Sequence, residues 1–210
     1  MRSIGKLVPV VILLSLAALA KKEFQLPPVQ HASAYPNREA HTDEKVTIAV
    51  EPYTSDLKSV FSTDYLQHGV LPVYIVFSND GDGFLELAKA RIELILPDRT
   101  RIEPFTTDDV MRRLAGSPPR RVQVPLPTPI PGGRRPRAKE SREEIEAAQF
   151  KARAVEPKSS RAGFLFFDVR SANEIKRGAR IYITGLRDGE GADLMYFEIP
   201  LDSPAVPSNP

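Results

Sequence analysis

The sequence contains no cysteine. That absence excludes disulfides, a cysteine nucleophile and a lipid anchor on a mature N-terminal cysteine, so an exported domain of this kind must stand on its hydrophobic core. Histidine is scarce: His31, His41 and His68 are the only side chains whose ordinary titration falls near neutrality. No Gly-x-Ser-x-Gly elbow is present, which leaves a Ser/His hydrolase little to build on. An excess of either charge is missing too. The formal net charge is +2, but Arg2 and Lys6 lie in the leader, and without them 27 basic residues face 27 acidic ones. A neutral body has no global field for nucleic acid, and no nucleic-acid partner is expected.

Long apolar runs are also lacking. The longest, Leu7 to Ala20, has 14 residues and would reach only about 21 Å as a helix, short of a hydrocarbon core of about 30 Å. Arg2 and Lys6 precede it and Ala18-Leu19-Ala20 closes it, the pattern of an export signal over residues 1–20 with Lys21 as the mature first residue. The expected location is periplasmic or extracellular. The alternative is an uncleaved anchor at residues 7–20, which would then be the only membrane contact. Residues 21–44, with Pro27, Pro28 and Pro36 and no periodicity, read as a linker.

What is present is alternation. In Lys45 to Tyr53, Val46, Ile48 and Val50 alternate with Thr47, Ala49 and Glu51 until Pro52. Leu71 to Asn79 alternates likewise, the pattern of a strand with one face on a core, and Asn79-Asp80-Gly81 turns the chain. Leu57 to Tyr65 reads as a short helical turn or packed loop. Further short strands are expected at Phe84–Leu87, Arg91–Leu96 and Thr100–Glu103, and a doubly buried one at Ala162–Val169. A closing hairpin joins Ala179–Leu186 to Leu194–Leu201, with Met195, Phe197, Ile199 and Leu201 inward. About eight short strands at regular spacing predict an all-β fold, a β-sandwich over residues 45–202, followed by a disordered tail at 203–210.

Residues 105–157 interrupt that pattern. Thr106 with Asp109 forms a capping-box sequence, and Val110, Met111 and Leu114 share a helical face. Pro118 to Lys139 then carries seven prolines, six basic residues and no acidic one, and PLPTPIP favours extended polyproline II. A second helix is expected to open at Ser141, with Glu140, Glu143 and Glu144 early and Lys151 and Arg153 late. Its apolar stripe, Ile145, Ala148 and Ala152, is thin, which predicts weak docking.

In order, VTIAVEPY, VLPVYIVFSND, GFLFFDV and LMYFEIPL resemble the strands of secreted bacterial immunoglobulin-like modules. The resemblance spans about Lys45 to Asp202 without the insertion. It implies a binding or scaffolding module and transfers no catalytic residue. The expected function is therefore non-catalytic binding of a protein or cell-envelope component, with no cofactor. An envelope hydrolase using loop carboxylates is the alternative.

Four groups of residues offer chemistry. Arg120, Arg121, Arg134, Arg135, Arg137 and Lys139 frame the proline spacer and could meet an anionic envelope component or an acidic protein; otherwise they keep a solvated loop soluble. Asp80 and Asp82 imitate the start of a calcium loop, but Lys89 stands where the bidentate glutamate belongs, so that motif fails. Asp188, Glu190 and Asp193 cluster at the hairpin tip, where turn formation accounts for them. His41 with Asp43 and Glu44 is a sparse metal-ligand set.

Overall fold

A computed structural model describes residues 24–52, 60–116, 135–169 and 178–202, with side chains from residue 139 onward in the third stretch. The signal at 1–20, the tail at 203–210 and most of the proline-rich spacer lie outside the described residues. Among the described residues, no helix is long and apolar enough to cross a membrane.

The chain is mostly β, in antiparallel sheets. The first sheet has the order β1 (Arg38–His41), β2 (Val46–Pro52), β3 (Val70–Asn79), β8 (Ser159–Asp168). The second has the order β10 (Phe197–Pro200), β9 (Arg180–Thr184), β5 (Arg91–Ile95), β6 (Arg101–Ile102). A small pair joins β4 (Leu85–Glu86) to β7 (Ala154–Val155). Both larger sheets feed one apolar cluster, in which Ile48, Ile75 and Phe77 meet Leu94, Ile181 and Phe197.

β3 is the centre, but alternation predicts only half its burial. All ten of its residues are buried. Val73, Ile75 and Phe77 share the face that carries Ile48 on β2 and, on β1, His41, whose ring stacks on Phe197 of the second sheet. The opposite face, with Pro72, Tyr74, Val76 and Ser78, is covered by a third layer. Tyr35 packs on Tyr74, Ala32 N–H donates to Ser78 Oγ at 2.8 Å, and Phe61 stands edge-on to Phe164. That layer includes the stretch read as a linker. From Phe24 the chain is folded: Phe24 stacks on Phe61 at 5.5 Å, Ala32 is fully buried, and Arg38–His41 is a strand. Its polar composition hides the docking because few of its side chains carry the contact. Pro72 pairs with Phe166 of β8, one residue beyond the last described β2–β3 pair, Pro52–Val73.

The insertion also docks more firmly than its stripe suggests. α1 (Thr107–Leu114) begins with the expected capping box. α2 (Arg135–Ala148) is already helical six residues before Ser141. Its glutamates therefore stand in mid-helix rather than at the positive end. Ile145 and Ala148 are fully buried, and the largely buried Glu144 accepts Ser62 N–H at 2.8 Å and Tyr65 O–H at 2.9 Å. Beyond α2, Phe150 N–H donates to Phe164 O at 2.9 Å, and before α1, Phe105 N–H donates to Phe166 O at 2.6 Å. The insertion thus seals the outer edge of β8, which would otherwise present a row of unpaired backbone groups. At the far end of the chain, Phe197, Ile199 and Leu201 are buried as expected, but Met195 is 65% exposed because pairing starts only at Phe197.

Candidate functional site: an acid-walled groove

Asn79 organises one end of the sheets. It is buried at the end of β3, where its Nδ2 donates to Gly83 O at 2.8 Å and Val155 O at 3.2 Å. Its Oδ1 accepts Gly81 N–H at 2.9 Å, folding the β3–β4 turn back on itself. Against that turn lies the 188–194 hairpin. Asp188 Oδ1 accepts the N–H groups of Glu190 and Ala192 at 3.0 and 2.9 Å, so this acid does shape the turn. Gly189 lets the two loops touch: a Cβ there would stand 3.1 Å from Phe84 N.

Between these loops and the β1–β2 turn opens a groove of about 700 Å³. Six carboxylates line it, Asp43, Glu44, Asp82, Asp188, Glu190 and Asp193, against one lining cation, Lys45. Phe84, 57% exposed, lies on its lining, and Met195, 65% exposed, follows the lining Leu194 in the chain. Asp82 bonds Lys158 at 3.0 Å and Lys45 at 3.6 Å. The Lys158 hydrogen bond and charge, with Lys45 behind them, hold its carboxyl below the usual range. Asp193 pairs with Arg187 at 2.6 Å. Asp43 and Glu190 have no ion pair among the described residues.

The histidines take separate places. His31 contacts Asp80 at 3.1 Å and Ser33 at 2.8 Å. His41 spends both nitrogens on carboxylates, Nδ1 with Glu44 at 2.9 Å and Nε2 with Glu39 at 3.1 Å, so the metal set with Asp43 and Glu44 is not assembled. Glu39 was invisible as a partner while this segment read as a linker. His68 lines a pocket of about 460 Å³ with Ser62, Asp64 and Ser141, yet makes no hydrogen bond or ion pair among the described residues. No Ser–His dyad forms there. At the failed calcium loop, Lys45 and Lys158 bind Asp82 where a cation would have to sit.

Of the basic residues singled out in the sequence, Arg120, Arg121 and Arg134 lie outside the described residues. Arg135 and Arg137 belong to α2, and PLPTPIP, the stretch expected to be polyproline II, lies outside the described residues. Lys139, exposed on α2, stands 3.8 Å from Glu143. The groove escaped sequence reading because its acids come from three turns far apart in the chain. The signal that could have found it is that two of the three turns, at 80–83 and 188–191, alternate acids with glycines.

No family model matches the chain, and no curated protein matches it either.

Proposed function

We propose that the chain is an exported, non-catalytic module, an immunoglobulin-like β-sandwich with a helical insertion, that binds or scaffolds a protein or envelope component. Two antiparallel sheets sharing one core support the sandwich. The contact surface in this reading is the acid-walled groove. The observation that carries it is six carboxylates against one lining cation, converging on an exposed Phe84. An exposed aromatic side chain among carboxylates that outnumber their cations suits a partner segment that carries lysine or arginine beside an apolar residue. The expected result of titrating the protein with a lysine- and leucine-containing peptide is amide shifts confined to residues 43–45, 80–85 and 188–196. Shifts scattered over the surface would count against the groove.

The hydrolase reading draws on the same convergence of acids. It needs a carboxyl that keeps its proton at neutral pH, and Asp82 is driven the other way by its lysines. The basic stretch from Arg120 to Lys139 is a second proposed contact, toward an anionic envelope component. Replacing its six basic residues with glutamine is expected to abolish envelope retention, and unchanged retention would remove it.

A further inference from the structure

Where β1 meets β10, two edges from different sheets face each other without pairing. β1 places Glu39 and His41 on one side of the strand, two residues apart, and the tight β1–β2 turn brings Glu44 back to the same ring. Each carboxylate then reaches across with its second oxygen. Glu39 Oε2 accepts Glu198 N–H at 2.5 Å, and Glu44 Oε1 accepts Met195 N–H at 2.9 Å. The imidazole lies flat on Phe197, with ring centroids 3.9 Å apart. Pro200, two residues beyond Glu198, has no N–H to offer. The outward donors of the β10 segment at 195 and 198 are thus covered by carboxylates that His41 holds in place.

We propose that His41 is a proton-operated latch on the β10 edge: doubly protonated it holds both carboxylates over Met195 and Glu198, and neutral it releases one and unseals the edge. The chemistry is a count of donors. An imidazolium has two N–H groups for two carboxylates, whereas neutral imidazole has one, and its second nitrogen then turns a lone pair toward carboxylate oxygens. The charged groups facing the ring are Glu39 and Glu44; Glu198 on β10 turns its own carboxylate to Arg180 of β9 at 2.7 Å. Burial lowers the His41 pKa, but the hydrogen bonds and charges of Glu39 and Glu44 outweigh it and hold the ring above its ordinary value. The latch is therefore closed below the ordinary histidine value and opens as pH rises through the raised one.

Amide exchange of the whole protein, corrected for base catalysis and followed beside the His41 ring resonances, tests this. Protection at Met195 and Glu198 is expected to fall roughly tenfold as His41 loses its proton, with Val76 in the centre of β3 unchanged. His41→Gln is expected to lower protection at the two amides and abolish its pH dependence. The wild-type titration decides even if that variant does not fold. Equal protection on both sides of the His41 titration, or a fall shared by Val76, would overturn the latch.

Discussion

Replacing Gly163 with alanine tests whether the insertion is structurally part of the β body. Gly163 lies in β8 opposite Ile75, and an added Cβ would stand 2.7 Å from Phe150 Cα and 2.9 Å from Phe150 N. A flexible side chain could swing away from such a clash, but this backbone is bonded to β8 itself. The segment at Gln149–Phe150 has to lift. Phe150 N–H then loses Phe164 O, now at 2.9 Å, and the Phe150 ring loses Phe77, with centroids now 5.1 Å apart. Overpacking costs about 1–3 kcal/mol, and the lost hydrogen bond about 1 kcal/mol. A total near 2–4 kcal/mol corresponds to a fall in Tm of roughly 5–12 °C for a domain of this size. Urea unfolding of Gly163→Ala measures the loss. Gly116→Ala, where no atom would crowd the Cβ but φ is +74°, is the comparison, with an expected cost of about 1–2 kcal/mol from backbone strain. A Gly163→Ala midpoint within about 0.5 kcal/mol of wild type would refute the close packing of the insertion on β8.

Three further outcomes follow from the same structure. Asn79→Ala removes a buried hub of several hydrogen bonds and is expected to cost about 2–4 kcal/mol by chemical denaturation; a loss under about 1 kcal/mol would mean the turn holds without it. Tyr65→Phe leaves Glu144 with the Ser62 N–H and one donor fewer, a loss of about 1–2 kcal/mol that Glu144→Gln should partly absorb in a double-mutant cycle. Because the folded-state pKa of His41 is raised, its contribution is fully present below its ordinary value of 6.5 and is lost as pH climbs through the folded value. The stability difference between wild type and His41→Gln is therefore expected to be largest below about pH 6.5 and to shrink as pH rises above it, and a constant difference would contradict that sign.

Strand positions were legible because β-branched and aromatic residues alternate in them, and the Thr106–Asp109 cap was legible because it is local. Layers were not. Burial of Tyr74 and Ser78 depends on Tyr35 and Ala32, residues in a stretch whose composition is that of a linker. The helical residues before Ser141 were not legible because Pro136 reads as a helix breaker. The groove was least legible, since Asp43, Asp82 and Glu190 converge only through the register of three turns.

The groove as a contact for cationic partners is the central claim, and affinity is its most direct test. Calorimetric titration with a lysine- and leucine-containing peptide, at low and moderate salt, would compare wild type with the Asp43→Asn, Glu190→Gln double variant. Those two acids have no ion pair among the described residues, so their loss should leave folding intact. Wild type is expected to bind in a salt-sensitive manner, with the variant about five- to tenfold weaker. Equal affinity in the two proteins, or no binding to wild type at low salt, would contradict the account.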